Sequence, residues 1–190
     1  MVLESIKVYK TICQTHLKPK ILRLYNGEIK VYTMANCEII ELHRNSLSWA
    51  KIVEEIMRIE KKVFPKHESL AKSFEEEAKK RNGGLIYSLI GGEVAGYVMY
   101  SWPSSLYACI TKLAVKENYR GKGHGEALLK AAIEKCKTRK IHRISLHVDP
   151  LRKAAMTLYK KLGFEVDSLV ESYYSLGRDA YRMYLEFEMD

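Results

Sequence analysis

No stretch of the 190-residue chain approaches the roughly 18 consecutive apolar residues that a membrane-crossing helix needs, so no membrane partner is expected. The opening segment, "MVLESIKVYKTICQTH", carries Glu4 and lacks a clear apolar core, which argues against a secretory or transit signal. Cysteine is scarce. Cys13, Cys37, Cys109 and Cys136 form no Cys-x-x-Cys pair and show no metal-ligand rhythm, so neither a metal site nor a disulfide framework is expected, and reduced thiols in an intracellular compartment are. Zinc-finger, RNA-recognition and basic-zipper patterns are missing, so no specific nucleic-acid partner is expected. Repeats, low-complexity stretches and linkers are also absent. What is present is 47% hydrophobic and 29% charged residues in a length that suits one domain with a single sizeable core. Lys and Arg exceed Asp and Glu by 32 to 23, a net charge of +9 that would serve nucleic acid, a polyanionic cofactor or acidic substrates equally well.

Residues 1–36, with six basic and two acidic side chains, read as a short extension rather than a domain; residues 37–190 read as the domain. Within it the elements alternate. "CEIIELH" (37–43) is a strand candidate, and "SLSWAKIVEEIMRIEKKVF" (46–64) places Trp49, Ile52, Val53, Ile56, Ile59 and Val63 near helical spacing before Pro65 stops it. A second helix is expected from a Ser69 cap to a stop at Asn82-Gly83-Gly84. Two β-rich runs flank Gly91-Gly92, a hairpin signal. A strand (105–116), a helix (125–139), a strand (141–148), a helix (151–164) and a terminal strand pair complete the chain.

Between the strand at 105–116 and the helix at 125–139 lies Arg120-Gly121-Lys122-Gly123-His124-Gly125. At a helix N-terminus the first backbone N–H groups have no intrahelical partner, and the helix dipole adds about half a positive charge. Glycines let those amides approach a phosphate closely, so a pyrophosphate fits; a turn that uses glycine only for its geometry fits as well. The spacing Gly-x-Gly-x-Gly is not the dinucleotide fingerprint Gly-x-Gly-x-x-Gly, and no Gly-Lys-Ser/Thr ending marks a nucleotide P-loop.

With "ISLHVDPLRKAAMTLYKKLGFE" (144–165) following the loop helix, the sequence resembles the GCN5-related N-acetyltransferase (GNAT) superfamily. Arg120, Gly123 and Gly125 match its pyrophosphate motif Gln/Arg-x-x-Gly-x-Gly/Ala. Ala155, Leu158, Tyr159, Gly163 and Phe164 match its Ala-x-x-Leu-Tyr-x-x-x-Gly-Phe motif. The resemblance covers residues 37–190. It implies an α/β (α+β) GNAT fold, a mixed, mostly antiparallel sheet flanked by helices, with acetyl-CoA held in a splay between "YACITKLAV" and "RISLHV". By the same analogy the backbone of Leu113, Ala114 and Val115 binds the pantetheine arm, and Arg120, Gly121, Lys122, Gly123, His124 and Gly125 cradle the pyrophosphate.

The implied activity is acetyl-CoA-dependent N-acetyl transfer to a primary amine. The amine must shed a proton before it attacks the thioester. An α-amine, with a reference pKa near 8, needs less help at neutral pH than a lysine near 10.4. Tyr159 stands where the superfamily puts its leaving-group acid. The strand before the loop has no carboxylate, and Thr111 occupies the position of the glutamate base of histone-type members. His147 in "SLHVD", "YY" and "DAY" instead look like the protein N-terminal acetyltransferases, where a histidine and an ordered water form the general base. Phe64-Pro65 resembles the pair lining the first-residue pocket in that subfamily, and Tyr173-Tyr174 the pair that grips the substrate backbone. Two positions depart from the subfamily. Cys109 stands where a tyrosine is usual, with Tyr107 two residues earlier on the same strand face. Arg152 stands where an asparagine touches pantetheine, and an arginine there is long enough to reach a phosphate.

The resemblance thus implies protein or peptide N-termini as acceptors, association with the ribosome or an auxiliary subunit, and a cytoplasmic or also nuclear location. A small-molecule (polyamine or amino sugar) or lysine acetyltransferase is the alternative, with a non-catalytic acyl-CoA-binding protein behind both.

Overall fold

The structure is a computed structural model that describes residues 37–187. The basic extension expected over residues 1–36, with Cys13, lies outside the described residues, as do residues 188–190. The described residues form β1 (Cys37–Glu41), α1 (Trp49–Val63), α2 (Phe74–Ala78), β2 (Gly83–Ile90), β3 (Glu93–Ser101), β4 (Tyr107–Val115) and a 3-10 turn (Glu117–Tyr119). There follow α3 (His124–Thr138), β5 (Arg143–Val148), α4 (Lys153–Lys161), β6 (Glu165–Ser175) and β7 (Arg178–Glu186).

All seven strands join one sheet in the order β1-β2-β3-β4-β5-β7-β6. Only β4 and β5 run parallel, joined by α3 as a crossover; every other pair is antiparallel. β2 and β3 turn on Gly91 and Gly92, whose φ values of 57° and 84° belong to a two-residue hairpin turn that glycine enters without strain.

The sheet has a core on each face. On one, α1 lays down Ile52, Val53, Ile56 and Ile59 at helical spacing against Leu85, Tyr97 and Met99, with Phe74 of α2 edge-on to Tyr97. On the other, Leu128, Leu129 and Ile133 of α3 pack over Ile86, Val98, Ile110 and Ile144, with Tyr159 of α4 and Phe164 beside them. Full burial of each large apolar side chain stabilises by roughly 1.5–3 kcal/mol, which fixes both helices against the sheet.

The second helix is shorter than its sequence suggests. Its five residues begin after Ser73, and Gly83 and Gly84 belong to β2 rather than to a helix stop. The buried Glu60 carboxylate accepts the Leu70 N–H at 2.7 Å, Lys112 Nζ donates to the Glu68 carbonyl at 2.5 Å, and Ser69 Oγ accepts the Ala71 N–H at 3.2 Å. With its backbone groups held by these side chains, the stretch before Phe74 forms turns, and Ser69 caps a turn rather than the helix.

Candidate active site

β4 and β5 pair over only three rungs, Tyr107↔Arg143, Ala108↔Ile144 and Cys109↔Ser145. Beyond Cys109 the two strands diverge, and the β4 edge from Ile110 to Val115 has no partner on β5. Part of the divergence is written into β4 itself. Ile110 faces Tyr100 and Lys112 faces Met99, so Thr111 is an extra residue, a bulge whose Oγ1 donates to the Met99 carbonyl at 3.1 Å. The bulge resets which face each β4 side chain takes. Leu113 and Val115 pack on the α3 side, and Lys112 and Ala114 face α1.

The open edge leads into the glycine loop. Gly121 and Gly123 hold φ of 70° and 85°, a left-handed conformation, and Gly123 caps α3. The first α3 hydrogen bond runs from the Ala127 N–H to the Gly123 carbonyl at 3.0 Å; among the described residues none of the N–H groups from Gly121 through Glu126 has a backbone acceptor. Arg120 and Lys122 stand exposed beside them, Arg120 Nε on the Val115 carbonyl at 3.0 Å and Lys122 Nζ on the Asn118 carbonyl at 2.9 Å. One residue of the expected cradle plays a different part. The His124 ring is buried, with Nδ1 3.4 Å from Cys37 Sγ, because α3 turns this first residue inward; burial, with Lys122 nearby, lowers its pKa. Only its backbone N–H faces the loop's concavity.

At the other end of the splay, the β4 and β5 side chains that face away from α3 form a polar cluster. Tyr107 Oη and Ser145 Oγ are 2.5 Å apart, Cys109 Sγ lies 3.0 Å from Tyr107 Oη, and Ser145 is itself buried. Burial, with the Cys109 bond, raises the Tyr107 pKa. His147, two residues along β5 on the same face, stacks on Tyr173 of β6 at 4.4 Å between ring centroids and 9° between planes. Partial burial, with Arg182 as a repelling cation, lowers the His147 pKa below its ordinary 6.5, so the imidazole is neutral at physiological pH. Tyr174 is edge-on to Tyr173, and its hydroxyl donates to the His147 carbonyl at 3.3 Å. Tyr159, on α4, is buried and pushed up to about 12 by that burial and by Tyr174, so its phenol keeps its proton.

Sequence reasoning missed the group that joins the walls of this site. Glu68, in the loop between α1 and α2, has a side chain only 6% exposed. Its carboxylate meets Arg152 Nη2 at 2.6 Å and Arg178 Nη1 at 2.6 Å, and Arg178 Nη2 reaches Asp149 at 2.6 Å. Burial raises the Glu68 pKa, but the two guanidinium groups outweigh it and hold the carboxyl below its usual range. One carboxylate thus ties the α1–α2 loop to the start of α4 and to the β6–β7 hairpin. Arg152 sits 5.7 Å from both the Phe64 and Tyr174 rings, and Lys112 Nζ lies 4.0 Å from the Phe64 ring centroid. Arg152 is therefore a wall residue, held by a carboxylate rather than extended toward a phosphate. Phe64, whose extended backbone is what a following proline requires, is half-buried, and Pro65 is exposed. Apart from the Asp149-Pro150 turn, in which Asp149 Oδ1 accepts the Leu151 N–H at 2.8 Å, no local pattern marks these residues.

A parallel strand pair that opens onto a loop of unpartnered amides, with a protonated phenol and a neutral imidazole near its base, is the architecture of an acyltransferase that takes its acyl group from a coenzyme A thioester. The chain belongs to the acetyltransferase (GNAT) family, whose model matches residues 49–164. It is an N-acetyltransferase, and acetyl-CoA is the cosubstrate of the family. An N-alpha-acetyltransferase of Sulfurisphaera tokodaii is 32% identical over 143 residues, 69% of this chain and 85% of that protein. A Bacillus subtilis protein provisionally named ribosomal protein bS18-alanine N-acetyltransferase is 38% identical over 95 residues, 50% of this chain and 62% of its own length. The ribosomal-protein-S18-alanine N-acetyltransferase structure from Escherichia coli shares the fold at a TM-score of 0.70 and 23% identity, over 81% of this chain and 96% of that one.

Proposed function

We propose that this protein is an N-α-acetyltransferase that acetylates the α-amine of a protein N-terminus, with a preference for an apolar first residue, methionine above others. The observation that carries the reading is the stack of Tyr173 on His147, which sets the one neutral base of the cluster at the inner edge of an aromatic-walled opening.

The chain's own groups fit the cosubstrate. The amides of Gly121 through Glu126, with Arg120 and Lys122, would hold the pyrophosphate, and the unpaired β4 edge at Leu113, Ala114 and Val115 would hold the pantetheine arm as a further strand. Acetyl-CoA supplies the acetyl group already activated as a thioester. His147, neutral at pH 7, accepts the proton that the incoming ammonium must lose, directly or through one water. Tyr159, protonated at the same pH, gives its hydroxyl proton or a hydrogen bond to the departing sulfur. Phe64 and Pro65 wall one side of the opening, and Tyr173 and Tyr174 wall the other and grip the peptide backbone.

A polyamine or amino-sugar acceptor would need acidic groups free to meet its several cations. The carboxylates around the opening are already taken: Glu68 by two arginines, Asp149 by Arg178, and Glu60 by the Tyr97 hydroxyl and the Leu70 N–H. An acylation assay on a peptide panel tests the reading. Peptides with a free methionine N-terminus should turn over faster than N-blocked peptides whose only amine is lysine. Faster turnover on spermidine, an amino sugar or internal lysine would overturn the N-terminal assignment and leave acetyl transfer standing.

A further inference from the structure

A second cleft opens at the far end of α3, about 22 Å along that 15-residue helix from the glycine loop. Its volume is about 570 Å³, inside the roughly 300–1,000 Å³ range of ligand pockets. It is bounded by the end of β1, the start of β2, Trp102 after β3 and the last turn of α3.

The charge of its lining is one-sided. Arg44, Arg81, Lys135 and Arg139 face it against a single carboxylate, Glu41, and His43 lies at the same rim. Lys135 is committed to that carboxylate, and Glu41 also receives the Tyr100 hydroxyl at 3.5 Å. Lys135 therefore accounts for Glu41. The three arginines remain in surplus. Among the described residues, none of them meets a carboxylate, and all three are exposed. Arg44 donates to the Lys80 carbonyl. The Arg139 guanidinium carbon lies 3.8 Å from the Trp102 ring centroid, within cation–π and stacking reach of the indole, on a residue that is itself exposed.

Surplus arginines around an open cleft call for an anion, and a guanidinium stacked on an indole calls for a flat ring. A nucleotide unit has both. The helix end distinguishes the source of that unit. A free nucleotide brings a terminal phosphate of nearly two negative charges, which favours a helix N-terminus; this cleft borders a C-terminus. A phosphodiester in a strand carries one charge and passes through an open groove. We infer that the cleft binds single-stranded RNA without sequence preference, with Arg44 and Arg81 on phosphates and a base laid on the Arg139–Trp102 stack.

The test is fluorescence anisotropy with a labelled twelve-nucleotide oligo(U) across a salt series, using the full chain. The wild type should bind. An Arg81→Ala/Arg139→Ala double variant should lose about tenfold in affinity, and its log–log salt slope should be shallower by about 0.7, the value for the one single-strand phosphate contact that Arg81 supplies. Neither residue touches the acetyl-transfer site, so acetylation of a methionine peptide should be unchanged, which also verifies that the variant is folded. Arg139→Lys keeps the charge and removes the flat stack; it should weaken oligo(U) while leaving the salt slope nearly intact. Equal affinity of wild type and double variant, or binding of UMP as tight as oligo(U), overturns the inference.

Discussion

His147 and Tyr173 lie face to face, ring centroids 4.4 Å apart and planes within 9°, one at the end of β5 and the other on the hairpin that closes the sheet. The stack covers one face of the imidazole and, with the repulsion from Arg182, favours its neutral form. A base whose pKa is lowered is deprotonated, and so active, over a wider acidic range. The rate should therefore fall only as pH drops below the ordinary histidine value of 6.5, and His147→Ala should remove that limb and lower kcat by about 10²- to 10⁴-fold. A pH–rate series on both proteins measures this; an unchanged acidic limb in His147→Ala would assign the titration to another group.

Tyr159→Phe removes one hydroxyl from a buried ring packed against Phe164 and leaves the packing in place. It should lower kcat by about 10²-fold or more with little change in acetyl-CoA affinity. Burial pushes the phenol up to about 12, so the wild type should hold this proton, and its rate, well into the alkaline range. Equal single-turnover rates for wild type and Tyr159→Phe would remove the residue from the chemistry.

Gly123 caps α3 at φ 85°. An alanine there costs roughly 1–2 kcal/mol of backbone strain, and a tryptophan adds bulk where the amides gather. Acetyl-CoA affinity, read by titration calorimetry, should fall in both variants and further in Gly123→Trp. A folded Gly123→Trp protein with unaltered affinity would show that the pyrophosphate sits elsewhere.

Glu68→Gln keeps the shape of the side chain and loses the charge that holds Arg152 and Arg178. Peptide KM should rise while acetyl-CoA affinity stays within about twofold. Glu68→Ala should also destabilise the fold by about 1.5–3 kcal/mol, the range for hydrogen bonds to charged groups. The sign of the pH effect follows from the lowered pKa. The carboxylate contributes its stability in full above its unfolded value near 4.5 and loses it as pH falls through the lower folded value. Thermal melts between pH 5 and 3 should drop less steeply for Glu68→Gln than for the wild type.

Much of the fold is legible in the chain because local chemistry and tertiary packing agree. The Gly91-Gly92 hairpin, the stop at Pro65 and the amphipathic face of α1 each follow from residues within a few positions of one another. The glycine loop is legible for the same reason. Glu68 is not, since its partners Arg152 and Arg178 lie 84 and 110 residues away and nothing in "KHES" signals them. The loop's sequence puts His124 in the cradle with its neighbours, but the helix phase that starts at Gly123 turns its ring into the core. The contraction of α2 has the same origin: Ser69 and the acidic run fit a helix locally, and Glu60 and Lys112 reach in from distant elements to claim that backbone.

The three rungs between β4 and β5 have a mechanical meaning. β1 through β4 form one plate and β5, β7 and β6 another, riveted at one end and spanned elsewhere by α3 and side-chain packing. Such a sheet has a soft axis along its own active site. Hydrogen exchange should show the amides of Leu113 to Val115 and of Leu146 to Val148 opening at lower free energy than those of β2 and β3, which are laddered along their length. If acetyl-CoA stands in for the missing rungs, as proposed, saturating cosubstrate should slow exchange on both sides of the gap together and stiffen the hinge.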